Sequence, residues 1–263
     1  MSEGAAGGRF LRPFPLVVYA QRMSSIDEAI RAIRETKPRN VVVMTGAGVS
    51  ADSGIPTFRG AGGLWRNFRA EDLATPAAFH RDPALVWEWY EWRRGLIRAA
   101  QPNAAHEALA RLTGAVVVTQ NVDGLHTRAG SADVVELHGN IFRVRCVREG
   151  TSHMHEEPFA ELPPHCEDCG ALLRPGVVWF GEALPEDAVA RAVGAIHNAD
   201  LLLVIGTSGV VYPAAGFVTL HEGLSIEINP ETSGVSSACT FAIAARAAEA
   251  TPAIVDALLE VRS

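Results

Sequence analysis

Two sets of residues have types and spacing suited to chemistry. Gly46, Gly48 and Ala51 follow an apolar run at 41–44 in the pattern G-x-G-x-x-A. Glycines so placed let backbone approach a pyrophosphate at the start of a helix. In that fingerprint a second strand, ending in an acidic residue that holds a ribose, comes about 20 residues later. Here the chain runs instead through Pro56, Thr57, Phe58 and Arg59 into a stretch with neither strand periodicity nor a buried-strand run. An ordinary dehydrogenase is therefore disfavoured, and a loop that holds NAD in a different way is expected. Farther on, Tyr90 and Arg93 stand three apart, on one face of a Trp-bearing helix. An arginine aimed into a pocket can pair bidentately with a carboxylate, and a tyrosine hydroxyl can add a further bond. The alternative is a solvated basic patch at Arg93 and Arg94 with Tyr90 in the core.

The elements that must position these groups alternate. A helix is expected over 25–37, where Ser25 and Glu28 can form a capping box and Ile26, Ala29, Ile30 and Ile33 make one apolar stripe. Non-alternating, β-branched runs at 41–45, 115–119, 201–207 and 225–229 read as strands covered on both faces. Helical patterns lie at 104–112 and 186–198, and a last helix is expected to start at Thr251 as cap with Pro252 in its first position. Such alternation implies an α/β fold with a doubly wound, Rossmann-like parallel sheet, whose carboxyl edge carries Gly46, Gln120, Gly206 and Asn229. Two segments break it: a helical one at 62–101 and a loop-like, cysteine-bearing one at 141–174. They form a smaller inserted domain, a helical segment plus a zinc-ribbon-like module. The expected division is an extension at 1–24 and a catalytic domain at 25–263. Its large lobe comprises 25–61, 102–140 and 175–263, and its small lobe 62–101 and 141–174.

With 263 residues, 48% of them apolar, the chain can bury a sizeable core. A net charge of −7 argues against a nucleic-acid-coating surface. Three of the four cysteines fall within 146–169, too few and too clustered for a secreted disulfide framework. A reducing, cytoplasmic home, a metal site and a monomer are expected, and no apolar run approaches the roughly 20 residues that span a bilayer.

The strings at 45–60, 120–123 (QNVD), 138–140 (HGN), 177–182 (VVWFGE), 206–208 (GTS) and 227–231 (EINPE) occur in the order found in sirtuins, NAD-dependent protein lysine deacylases. The resemblance covers nearly the whole chain from about Ile26, and six strings in order make chance implausible. It implies NAD as co-substrate. Asn121 and Asp123 would line the nicotinamide pocket with Ala47, Ile55 and Phe58, burying the leaving amide and stabilising charge that builds on the sugar. Taken alone, the same pair would make an Asx-turn after a strand. Gly46, Gly48, Ser50, Arg59, Trp65 and Gln120 complete that end of the cofactor site. At the other end Gly206, Thr207 and Ser208 would meet phosphate and ribose, Asn229 and Glu231 the adenine ribose, and the backbone around Ala247 the base. The segment AIAARAAEA there departs from the family's glycine-containing pattern.

His138 matches the family's general base, and an unperturbed pKa near 6.5 suits that task. In the sirtuin mechanism that the resemblance implies, the acyl oxygen attacks the ribose carbon, and the acyl group leaves on ADP-ribose. By the same resemblance the substrate peptide would add as a strand between 178–182 and the loop after Ser208, with Val178, Phe180, Gly181 and Glu182 as its contacts; main-chain pairing of this kind tolerates many sequences. Core packing is the other reading of Trp179 and Phe180. Tyr-x-x-Arg resembles the signature of sirtuins that prefer succinyl, malonyl or glutaryl lysine, and Ala74 matches the small residue that makes room for a longer acyl chain. The family's four zinc cysteines are incomplete here: Cys146, Cys166 and Cys169 are present, and Glu149 stands where the other is expected. Glu149, His153 or His155 could supply a fourth ligand to a structural zinc, or packing alone could hold the module. Cys239 reads as a buried structural thiol. The expected partners are acylated lysines of proteins. Rival readings are a general deacetylase, a mono-ADP-ribosyltransferase on the same scaffold, and a non-catalytic NAD or acyl-peptide binding module.

Overall fold

The apolar run Val41–Thr45 is buried at every position because helices cover both faces of the sheet it enters. The computed structural model describes residues 24–56, 66, 68–209 and 214–262. In chain order the elements are α1 (Ile26–Thr36), β1 (Val41–Thr45), a 3-10 turn (Ala47–Ser53), α2 (Ala70–Leu73), α3 (Pro76–Arg81), α4 (Pro83–Ala99) and α5 (Ala104–Ala110). There follow β2 (Val116–Thr119), α6 (Leu125–Arg128), β3 (Val134–Glu136), β4 (Gly139–Cys146), β5 (Ser152–Met154) and β6 (Leu173–Val177). The chain ends through α7 (Glu186–His197), β7 (Leu201–Ile205), α8 (Ala214–Phe217), β8 (Leu224–Asn229), β9 (Phe241–Ala244) and α9 (Ala247–Arg262).

Six strands form one parallel sheet in the order β3-β2-β1-β7-β8-β9. Alternate residues of each strand reach opposite faces. Val41 and Val43 pack with Leu201, Leu203, Leu109, Ile254 and Leu258 on one side. Val42 and Met44 pack with Leu202, Val204, Ala192 and Ile196 on the other. The helices start where capping chemistry allows. Ser25 and Glu28 make the reciprocal box expected for α1, Thr75 caps α3 ahead of Pro76, and Asp82 caps α4 ahead of Pro83.

A second, antiparallel sheet runs β5-β4-β6 and packs with α4. The segment 141–174, loop-like by sequence, thus carries strands: β4 alternates buried and open positions near Cys146, and its partner β6 lies far along the chain. Trp87 donates its indole N–H to Leu173 O at 2.8 Å, tying α4 to β6. Arg94 is fully buried. Its guanidinium lies over the rings of Phe142 and Phe159 at 5.4 and 5.0 Å and donates to the carbonyls of His155 and Glu157. A solvated patch is therefore excluded for Arg94.

The last helix corrects an expectation. It begins at Ala247, so Pro252 lies inside it and Thr251 is a buried helical residue, not a cap. Ala247 and Ala250 are packed in the core beneath the sheet, and that burial extends the helix a turn before the proline. The short strands β3 and β9 have no run long enough to announce them. Among the described residues no helix is long and apolar enough to cross a membrane.

Candidate active site

The strand order reverses between β1 and β7, the crevice where such sheets bind ligands. Two strand-end loops interlock there. Gly48 N donates to Gly206 O at 2.8 Å, and Gly46 N donates to Ile205 O at 3.1 Å. A Cβ on Gly48 would fall 2.7 Å from Gly206 Cα, and Gly206, at φ +62°, would push one to 2.3 Å from Val49 N. The glycines of the fingerprint thus serve the approach of one loop to the other, and leave a rim lined by backbone. Ala47 opens the 3-10 turn that leaves this rim, with Ile55 buried beyond its end.

Below the rim three polar side chains are buried together. Ser50 donates to Asp123 Oδ2 at 2.7 Å and accepts from Asn121 Nδ2 at 3.0 Å. Asp123 Oδ1 also accepts from Leu125 N at 2.9 Å, so the Asx-turn forms, and the second carboxylate oxygen faces the cluster. Asn103, which caps α5, donates to Val49 O at 2.9 Å and to Ser53 Oγ at 3.0 Å. It steadies the glycine loop, and only its place before a helical run distinguishes it in the sequence. Deeper still, Thr45 Oγ1 bonds Thr119 Oγ1 at 2.8 Å and lies 3.0 Å from His126 Nε2. Burial, with a smaller push from His106, lowers the His126 pKa to about 3. This histidine is a neutral part of the floor.

His138 sits at the end of the chain leaving β3, with Nδ1 2.8 Å from Gln120 O. A proton on Nδ1 donated to that carbonyl leaves Nε2 as a basic lone pair. Burial lowers the pKa of His138, against a smaller upward pull from Gln120 O. Gln120 in turn donates to Thr207 Oγ1 at 3.0 Å, and Asn229 donates to Thr207 O at 2.7 Å. The carboxyl ends of β2, β7 and β8 are so braced around one threonine. Ser208 follows it partly open, Glu231 is exposed, and Ala247 is a buried residue of the first turn of α9.

The stretch 178–182 is a turn rather than a strand. Glu182 accepts from Trp179 N at 2.9 Å and pairs with Arg174 through both oxygens, at 2.7 and 2.8 Å. Arg174 lies 3.6 Å over the Trp179 ring. Trp179 belongs to the core, while Phe180 is exposed and anchored by its N–H to Ala74 O at 3.0 Å. Val178 is half-buried, and its N–H donates to His138 O at 2.9 Å. Gly181 completes the turn at φ +87°. Ala74, Tyr90 and Trp179 share one buried cluster. Trp179 Nε1 donates to the Tyr90 hydroxyl at 2.9 Å, and burial raises the Tyr90 pKa. Arg93 lies 5.3 Å over the Trp89 ring. Burial lowers its pKa, while the charges of Tyr90 and Asp123 pull it up. Phe58, Arg59 and Trp65 lie outside the described residues, as does most of the loop after Ser208.

The thiols of Cys146, Cys166 and Cys169 lie within 4.8 Å of one another, with Cys146 Sγ and Cys169 Sγ 3.5 Å apart. A zinc with thiolates at about 2.3 Å sets tetrahedral S–S separations of about 3.8 Å. The three residues fit a structural zinc. Cys239 is buried elsewhere, its thiol pushed up by burial to about 12.

Known proteins align with both the sequence and the fold. The model of the Sir2 family matches residues 46–213. An NAD-dependent protein deacylase of Aquifex aeolicus is 56% identical over 205 residues, covering 75% of this chain and 86% of that protein. NAD-dependent protein deacylase 2 of Pyrobaculum aerophilum is 53% identical over 225 residues, covering 83% and 90%. A Sir2 homolog solved with NAD superposes with a TM-score of 0.84 at 44% identity, over 90% of this chain and 95% of its own. A Sir2 structure with a p53 peptide and NAD+ superposes at 0.79 and 33% identity, over 89% and 98%. The chain belongs to the Sir2 family.

Proposed function

We propose that this chain is an NAD-dependent protein lysine deacylase that prefers acyl groups ending in a carboxylate, succinyl and malonyl above acetyl. One observation carries the acyl preference: Tyr90, its hydroxyl held by Trp179, and Arg93 stand three residues apart on α4, the spacing that puts two side chains on one helix face. A carboxylate moved into such a site unpaired would cost several kcal/mol, so an acidic acyl end needs the guanidinium. The deacylase reading itself is supported by the names of the relatives and by solved Sir2 homologues that hold NAD and peptide.

NAD, when bound, supplies a ribose whose bond to nicotinamide breaks and which accepts the acyl oxygen. Backbone at Gly46, Gly48 and Gly206 offers it a rim, and Asn121, Asp123 and Ser50 supply buried partners for the leaving amide. Ser50 already bonds both of the others, which holds them without reorganisation at the moment of reaction. His138 takes a proton at Nε2, oriented through Nδ1 by Gln120 O. Lowered by burial, its pKa keeps the ring neutral near pH 7 and able to accept that proton. The turn at 178–182, fixed by Glu182 and Arg174, forms one rail for the acylated peptide, whose main chain it binds.

Incubating the protein with NAD and an acyl-lysine peptide tests this. Free lysine, nicotinamide and O-acyl-ADP-ribose in equal amounts support it. ADP-ribosylated protein in place of those products would instead mean ADP-ribosyl transfer, and no nicotinamide release would mean a binding module.

A further inference from the structure

Two turns of the cysteine-bearing module repeat one backbone arrangement. In the first, Gly150 N donates to Cys146 O at 3.0 Å and Cys146 N donates to Thr151 O at 2.9 Å. In the second, Gly170 N donates to Cys166 O at 2.8 Å and Cys166 N donates to Ala171 O at 2.7 Å. The glycines match as well, with φ of +71° and +69°. Cys146 therefore corresponds to Cys166, and Glu149 corresponds to Cys169. The second turn delivers the Cys169 sulfur into the thiol cluster. By the same backbone path the first turn sets Glu149 at the position that corresponds to Cys169, and Glu149 N donates to Cys146 Sγ at 3.4 Å. The Glu149 carboxylate makes no hydrogen bond or ion pair among the described residues.

We propose that Glu149 is the fourth zinc ligand, one of its carboxylate oxygens completing a tetrahedron with Cys146, Cys166 and Cys169. Zinc takes carboxylate oxygen at about 2.0–2.2 Å beside thiolate sulfur at about 2.3 Å. Three thiolates and a carboxylate also carry the same formal charge as four thiolates. Glutamate is longer than cysteine, and its exposed side chain has the freedom to fold back over the turn. His153 and His155 lack this placement. His155 N bonds Phe142 O, four residues from Cys146 along β4, or about 13 Å at 3.3 Å per residue. Its ring is stacked on Phe159 at 4.1 Å. His153 pairs with Val144, about 7 Å along the strand from Cys146, and faces solvent. The assignment stands apart from the acyl preference and from the deacylase reading.

X-ray absorption at the zinc edge of the full-length protein, together with zinc affinity by chelator competition, tests the ligand. The expected fit is three sulfurs and one oxygen without imidazole scattering. Glu149→Ala should weaken zinc by at least about tenfold, the scale lost even when a partner of a ligand is removed. Glu149→Cys should restore or exceed the parent affinity with a four-sulfur fit. His153→Ala and His155→Ala should match the parent. Parent-like affinity in Glu149→Ala, imidazole scattering in the parent, or a tenfold loss in His153→Ala would overturn the proposal. Should Glu149→Ala fail to fold, the parent's absorption fit and the Glu149→Cys affinity decide alone.

Discussion

Trp179 Nε1 donates to the hydroxyl of Tyr90 at 2.9 Å, both side chains being buried. The tyrosine oxygen is thus occupied as an acceptor, and its own proton remains to be donated. Burial raises the Tyr90 pKa, so the hydroxyl keeps that proton. Tyr90→Phe should lower kcat/KM for succinyl-lysine peptide by about tenfold or more, the worth of a hydrogen bond to a charged group being roughly 1.5–3 kcal/mol. Acetyl-lysine turnover should be little changed. Trp179→Phe should produce a smaller loss of the same kind, since the hydroxyl survives without its orienting donor. Equal losses with both peptides would place Tyr90 in the scaffold alone.

Arg93 carries the charge that an acidic acyl group must meet. Arg93→Met removes it and keeps much of the packing over Trp89. Succinyl-lysine kcat/KM should fall by roughly 2–5 kcal/mol of transition-state binding, as when one partner of a buried charge pair is truncated. Acetyl-lysine kcat/KM should hold or rise, because an acetyl group carries no carboxylate for the guanidinium to meet. Parallel loss of both would reject the acyl-pocket assignment.

His138 gives the pH dependence a sign. Its pKa is lowered by burial, so the neutral, proton-accepting form persists below the ordinary value of about 6.5. The acid limb of kcat/KM for acyl peptide should therefore have its midpoint below about 6.5 and be flat by pH 7. His138→Ala should remove most turnover without altering the unfolding midpoint in urea. An acid limb centred above the ordinary histidine value would contradict burial as the dominant influence on His138.

His126 sets a separate, stability-linked trend. Its folded-state pKa is about 3, against an unfolded value of about 6.5. Between those values the unfolded chain binds the proton and the folded one does not. The stability that neutral His126 contributes is complete above about 6.5 and is lost as pH falls toward 3, with a slope of up to about 1.4 kcal/mol per pH unit. Urea unfolding from pH 7 to 5 should show this decline. His126→Gln should flatten it, and identical slopes in the two proteins would count against a neutral buried ring.

Legibility in the sequence followed burial and range. Runs such as Val41–Thr45 and Leu201–Ile205 are apolar throughout because both faces are covered, so they announce a parallel sheet unaided. The Ser25–Glu28 box is equally local. Long-range placement is what the sequence withholds. The pairing of β4 with β6 spans a gap that no local pattern records, and the same segment reads as loop. Arg93 and Arg94 look alike in the chain, yet Arg94 is fully buried under Phe142 and Phe159. Trp179 and Phe180 are adjacent, and only the fold sends the first inward and leaves the second exposed. Pro252 misdirected the helix start because the preference of proline for a first turn yields to the burial of Ala247 and Ala250. At the candidate site, Gln120, Asn121, Asp123 and His138 stood out by type and order. Their supports Asn103, Thr45 and Thr119 did not, being ordinary residues until the strands bring them together.

The account rests most on a carboxylate-reading acyl pocket beside a cofactor whose sugar bond breaks. Specificity constants for one peptide bearing acetyl, malonyl, succinyl or glutaryl lysine, measured with NAD at pH 7.5, test it directly. A succinyl and malonyl kcat/KM well above the acetyl value, lost in Arg93→Met, is the predicted result. Acetyl preferred, with the order unmoved by Arg93→Met, would contradict it.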